Sequence, residues 1–189
     1  MKKDLGAKIL LFPTPVLVVA TYDPQGKPNA MTAAWGGVCC SAPPCIAVSL
    51  RKATYSYGCI MESRAFTVNI PTKAQVRQAD YLGIASGKNE DKLAKAGLTP
   101  VASELVKAPY IGEFPVNLEC KVVNVAELGL HTQFVGEILN VKMDAALLEE
   151  GARPAIEQIE PLIFAPDSHN YYTVGAEVGK AFSIGKEIR

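Results

Sequence analysis

Residues 128–141 read LGLHTQFVGEILNV, Leu128 to Val141. The period here is two, so the stretch reads as a strand and not a helix. His131, Gln133 and Glu137 fall on one face, and Gly136 sits wedged between apolar residues. A glycine in a strand interior permits a bulge or a close backbone approach. The stretch before it, Phe114 to Glu127, has the same period. Leu118, Cys120, Val122 and Ala126 share one face there, and Glu119, Lys121 and Glu127 take the other. Two long strands in succession make a hairpin the organising element of the second half.

Working outward, Val16 to Tyr22 (VLVVATY) is apolar and β-branched and reads as a buried strand. Asp23, Pro24 and Gly26 then place a turn, and KPNAMTAAWGG returns as its hairpin partner. Cys45 to Leu50 is a further strand, set off by Pro43 and Pro44. Ala65 to Pro71 alternates and is another. Thr54 to Ser63 reads as a short helix with Thr54 or Ser56 as its cap. Gln75 to Tyr81 and Glu90 to Ala96 read as helices, the latter capped by Asn89 and ended by Gly97. Ile163 to Ala165 and Tyr171 to Val174 are shorter strands. Six or more strands with hairpin connections predict a mainly β fold, a closed or partly closed barrel with short helices outside it.

The bulk numbers agree with one domain spanning residues 1–189. Hydrophobic residues make up 49% and charged residues 20%, a globular balance. Lys+Arg and Asp+Glu both count 19, so no net charge draws the chain to nucleic acid or an anionic membrane. The N-terminal stretch carries charges and Pro13 and Pro15 within its apolar run, and no span is long enough to cross a bilayer, so the expected location is cytoplasmic. Five cysteines, an odd count without a CxxC pair, argue against a disulfide framework or a metal centre. They are expected to be buried and to pack as small hydrophobes.

Three motifs point to chemistry. In SLRKATYS, Ser49 to Ser56, a strand ends, two cations follow, and a helix begins with hydroxyl side chains. Free N–H groups and the positive end of the helix dipole attract anions there, so Arg51, Lys52, Thr54 and Ser56 form a candidate phosphate site. A capped helix beside two solvated cations accounts for the same residues. In ASGKNEDK, Ala85 to Lys92, the spacing Gly83 to Gly87 is one residue short of a nucleotide-binding P-loop, but Lys92 remains within reach of an anion. In PNAMTAAW, Pro28 to Trp35, the single tryptophan and the polar Asn29 and Thr32 suit either a core or the wall of a pocket for a flat ligand. No GxSxG elbow accompanies His131, and no GxGxxG follows a strand. His169 lies in a polar stretch and is expected to be exposed.

PNAMTAAW, VSLRKATYSY, FTVNIP, SGKNEDK and GLHTQFVGEIL, in that order, resemble the flavin reductase-like, FMN-binding split-barrel family, and within it the flavoredoxins. The resemblance runs through nearly the whole chain. It implies a six-stranded antiparallel split β-barrel of Greek-key character, a two-fold homodimer, and one FMN per subunit near the interface. It implies phosphate ligands around Arg51, Lys52, Thr54 and Ser56, and a ring and ribityl wall from Asn29, Met31, Thr32 and Trp35. Ser49 and Leu50 would edge the ring, Lys92 and His131 would approach it, and Phe164 would close the pocket. Ala53 stands where many relatives carry a hydroxyl. The implied activity is NAD(P)H-dependent reduction of the flavin, with His131 positioning the donor and electrons passing to a second flavin, ferric iron or a protein acceptor. The rival reading is a non-enzymatic FMN electron carrier reduced by a partner protein. A blander one is a split-barrel binding protein with another ligand or none.

Overall fold

A computed structural model describes residues 1–149, 153–154 and 156–188. Its centre is one antiparallel sheet of seven strands: β1 (Leu17–Tyr22), β2 (Pro28–Ala33), β3 (Gly36–Ser41), β4 (Pro44–Arg51), β5 (Ala65–Ile70), β6 (Val116–Leu128) and β7 (His131–Met143). The spatial order is β2-β1-β5-β6-β7-β4-β3, a Greek-key arrangement. The sheet curls into a split barrel whose two edges, β2 and β3, are joined only through Ala34 and Trp35. The expected six strands become seven because Gly36–Ser41 pairs with β4 as an edge strand. Thr14–Pro15, Leu162–Ala165 and Asn170–Thr173 form a second, three-stranded sheet.

The unbroken apolar run of β1 follows from burial on both faces. Leu17 and Val19 point into the barrel with Ile46, Val48, Leu50, Phe66, Val68 and Phe134. Val18 and Ala20 point outward onto helices α2 (Val76–Ile84) and α3 (Lys92–Ala96), against Ala79, Leu82 and Leu93. A third helix, α1 (Tyr55–Ser63), follows β4 and sends Ile60 into the barrel cluster. It ends at Arg64, whose φ of 55° closes a left-handed cap.

Gly136 makes the close approach expected of it. A Cβ there would lie 2.5 Å from Phe66 Cζ and 2.9 Å from Cys120 Cβ. One of two irregularities in the long hairpin lies across from it, on β6: Val135 faces Asn124 and Gly136 faces Val122, leaving Val123 unpaired, and the other leaves Leu139 of β7 unpaired. The face alternation therefore shifts at Val123, and Val125 packs on the barrel cluster in place of Ala126. Glu119, expected on the solvent face, is fully buried. Asn140 Nδ2 donates to its Oε2 at 2.8 Å and Lys142 lies 3.6 Å away. A covered carboxylate needs such partners.

Three other expectations change. Asp91, not Asn89, caps α3, accepting from the Ala94 N–H at 3.1 Å. Thr54 holds the cap position of α1 but donates its hydroxyl to Arg51 O and makes no cap bond, and Ser56 lies inside the helix. Cys45, Cys59 and Cys120 are buried thiols as expected, whereas Cys39 and Cys40 are exposed. No described helix is long and apolar enough to cross a membrane.

Candidate functional site

A cavity of about 210 Å³ opens at the N-terminus of α1. Thr54, Tyr55 and Ser56 form one wall, Met31 of β2 the floor, and Gly83 to Gly87 with Lys92 the far side. The start of α1 carries no side-chain cap, so its dipole and N–H groups face this space. Behind it, Asn29 Nδ2 donates to Ser56 Oγ at 2.8 Å, both residues being buried. Asn29 Oδ1 is buried without a partner. Gly87 lies directly over Asn29 and Tyr55, where a Cβ would collide with the Asn29 amide. Only glycine allows the turn after α2 to close on β2 this tightly.

Lys92 is 4% exposed. Its Nζ donates to Leu82 O at 3.0 Å and Ala85 O at 3.1 Å, the free carbonyls at the C-terminus of α2. An ammonium has three N–H donors, so one remains. Burial pulls the Lys92 pKa from 10.5 to about 8, with the nearby Glu90 charge opposing the shift. A buried cation and an uncapped helix start thus line one cavity, with the orphaned Asn29 acceptor behind its Ser56 wall. That set suits a ligand with an anionic end.

Beside this cavity, Asp23 organises the β1–β2 turn. Its Oδ1 accepts from the N–H groups of Lys27 at 2.8 Å and Gln25 at 2.9 Å, and its Oδ2 accepts from Tyr55 Oη at 2.9 Å. Burial alone would raise the Asp23 pKa, but these donors outweigh it and hold the carboxyl below its ordinary value. Tyr55 is pushed up to about 12 by burial and by the Asp23 carboxylate. The pair fixes the first residue of α1 to the hairpin.

The residues expected from sequence fall into three groups. Met31, Thr54, Ser56 and Lys92 line the α1 cavity, and Asn29 stands behind Ser56. Thr32 and Phe164 line a second cavity of about 220 Å³, which shares Gly83 with the first. The Thr32 hydroxyl there is committed to Ala79 O. His131, Arg51 and Ser49 lie on the half-exposed face of the β4–β7 ladder, where His131 pairs with Arg51 and Gln133 with Ser49. Directly opposed residues share a face. Leu50 points the other way, into the barrel. Trp35 is half-buried, and its carbonyl accepts from the Ser49 N–H at 2.7 Å. Lys52 is turned away, paired with Glu127 at 2.7 Å in solvent. Tyr55, Gly83, Ser86 and Gly87 are additional lining residues. The SGK turn within ASGKNEDK, set aside because its spacing is not that of a P-loop, was the signal that could have found the last two. A larger cavity of about 510 Å³, beside Arg77, Tyr81 and Lys95, holds none of the expected residues. Among the described residues, no cluster of His, Cys, Asp or Glu is arranged to hold a metal.

Comparison with known proteins places this geometry. A family model described as Flavin reductase like domain matches residues 9–173. An uncharacterized protein of Archaeoglobus fulgidus is 42% identical over 163 residues, 86% of this chain and 84% of that one. The solved structure of flavoredoxin from Desulfovibrio vulgaris (Miyazaki F) superposes with a TM-score of 0.94 at 56% identity, over 98% of this chain and 100% of that one. The flavoredoxin of Methanosarcina acetivorans gives 0.89 at 32%, over 100% and 98%. With a family match spanning most of its length, this chain belongs to the flavin reductase like family, and its role is a flavin-related redox one.

Proposed function

We propose that the chain is an FMN-binding oxidoreductase that takes electrons from NAD(P)H and passes them to a flavin, ferric iron or a protein acceptor. The observation that carries this reading is the α1 cavity, with its uncapped helix start and buried Lys92. The residues fit FMN. The third Lys92 N–H and the α1 N-terminus meet the phosphate, together with Thr54 and Ser56. Asn29 holds Ser56 in place through its amide, and Met31 supplies an apolar floor.

A cavity of about 210 Å³ is below the usual 300–1,000 Å³ of small-molecule pockets, so it takes the phosphate end alone. The ring then extends towards Trp35, Ser49 and the β4–β7 ladder, with Leu50 supporting that strand from the barrel side. Arg51 and His131 stand at the ladder's end. A second copy of the chain completes the wall, which makes the protein a homodimer. Thr32 and Phe164 border the neighbouring cavity. When bound, FMN accepts a hydride and gives up electrons singly or in pairs. The chain's own part is to hold the phosphate, cover the ring and position the donor, the last being the role of His131. Arg51 contributes charge at the same edge, and Lys52 does so only after leaving Glu127.

A second reading, an FMN electron carrier reduced by a partner protein, draws on the exposed Leu128 and Leu130 beside His131. They offer an apolar contact for a protein partner at the edge where the ring would lie. An anaerobic absorption spectrum decides between the two. A yellow protein bleached by NADH or NADPH is the oxidoreductase. A yellow protein that neither bleaches is the carrier, and one that stays colourless after incubation with FMN refutes both.

A further inference from the structure

Three of the five cysteines lie within seven residues, on the hairpin of β3 and β4. Cysteine is among the most buried residue types, so the exposure of Cys39 and Cys40 is the informative feature. β3 is a free edge of the sheet, open to solvent along one side. Cys40 is the register partner of Cys45 across the hairpin. The register skips one residue between Val38 and Cys40, so Cys39 is the unpaired residue of a bulge. As register partners Cys40 and Cys45 share one face of the hairpin, Cys40 exposed and Cys45 buried.

We propose that Cys40 and Cys45 form a thiol–disulfide exchange site whose substrate is a low-molecular-weight disulfide. Directly opposed residues of an antiparallel pair have Cα atoms about 4.5 or 5.5 Å apart, within the disulfide range of about 4.4–6.8 Å. Their Cβ atoms lie about 4.5–5.5 Å apart, against about 3.5–4.5 Å in a disulfide. Closing that gap needs a shift of about 1 Å, and an edge strand beside a bulge provides the freedom. The exposed Cys40 thiolate attacks one sulfur of the substrate RSSR. The substrate S–S bond breaks, RS⁻ leaves, and a mixed disulfide forms on Cys40. Cys45 loses its proton to solvent and attacks Cys40 Sγ, releasing the second RS⁻. The two thiols are oxidised, RSSR is reduced to two RSH, and the protons balance. Burial raises the pKa of Cys45, which suits it to resolve and not to attack. The site stands on strand pairing and exposure and is independent of flavin binding.

The test is treatment of the full-length protein, as isolated, with oxidised glutathione, followed by alkylation and tandem mass spectrometry. In wild-type protein the tryptic peptide spanning residues 9–51, uncut at Lys27 because Pro28 follows it, should lose two hydrogens, with Cys39 its one alkylated thiol. Cys45→Ala should stop at glutathione on Cys40, and Cys40→Ser should leave Cys45 unmodified. The wild-type result needs no variant to fold, and the buried Cys59 and Cys120 report whether the protein stayed native. A Cys39–Cys40 link, glutathione on Cys39 in the Cys45→Ala protein, or three alkylated thiols after oxidation overturns the proposal.

Discussion

Lys92→Met separates the cost of a buried charge from its use. In the folded protein burial pulls the Lys92 pKa down to about 8, against 10.5 for the free side chain. At about 1.4 kcal/mol per unit, keeping the ammonium charged at neutral pH costs the fold roughly 3 kcal/mol. The unfolded chain holds more proton between about 8 and 10.5, so this cost fades and stability rises as pH climbs through that window. Methionine removes the cost but leaves the Leu82 and Ala85 carbonyls without their donor, at about 1.5–3 kcal/mol per charged hydrogen bond. The two bonds together come to about 3–6 kcal/mol, so the flavin-free variant at pH 7 should be at most about 3 kcal/mol less stable than wild type, read from its melting temperature. FMN affinity behaves differently. Loss of one charge-assisted contact to the phosphate should weaken it by about 1.5–3 kcal/mol, roughly 10- to 100-fold. In wild-type protein the affinity should also fall as pH rises above about 8, because Lys92 loses its proton. The variant should lack that alkaline limb. Quenching of FMN fluorescence from pH 7 to pH 10 reads both quantities. An unchanged affinity in a variant that still unfolds cooperatively, or an alkaline limb that survives the substitution, refutes the anion role.

Gly136→Ala drives a Cβ into the Phe66 ring and should cost about 1–3 kcal/mol by denaturant unfolding. A variant as stable as wild type would show that the close packing is not needed. Asp23→Asn weakens the turn and the Tyr55 contact and should cost about 1–2 kcal/mol at neutral pH. The folded Asp23 carboxyl titrates below 3.8, so its contribution is intact above that pH and is lost as pH falls through the lowered pKa. Acid unfolding should therefore show a smaller stability drop in the variant than in wild type, and identical curves would count against the assignment. His131→Ala, at a half-exposed strand end, should change stability by less than about 0.5 kcal/mol while altering the bound-flavin spectrum or the rate of reduction by NAD(P)H. Spectrum and rate both unaltered would remove His131 from the site.

The fold was legible where burial imposes a period. β1 is apolar throughout because both its faces are covered, and β7 alternates because its outward face stays half-exposed. Gly36–Ser41 was missed because an edge strand is held by backbone pairing to β4, and GGVCCS has neither alternation nor β-branched density. Glu119 was misplaced because strand period assigns a face, not what covers that face. Asn140 and Lys142 supply its partners from β7, and one sequence records no such pairing. The shift at Val123 is likewise invisible to periodicity, since one added residue leaves no compositional mark.

The candidate site divides along the same line. The helix start at Thr54 to Ser56 is a local property of chain chemistry, and it opens on a cavity of about 210 Å³. The charge of Lys52 is equally local, but its destination is not: Glu127, 75 residues on, takes it. An exposed pair of this kind contributes about 0–1 kcal/mol, so a bound phosphate could displace Glu127 at small cost. Lys92 is the reverse case. Helical position suggested reach towards an anion, and burial made it a fixed, charged part of the cavity's far side. In the proposed site anion attraction would therefore rest on a fixed, desolvated cation, with Arg51 and Lys52 at the exposed rim. The flavin ring would lie beyond that rim, on the half-exposed ladder carrying His131 and Gln133, where one chain offers a floor and no roof. That asymmetry, an enclosed phosphate end and an open ring face, is why the proposed function requires a second copy. It also leaves the ring edge beside Leu128 and Leu130 accessible to an electron donor or acceptor.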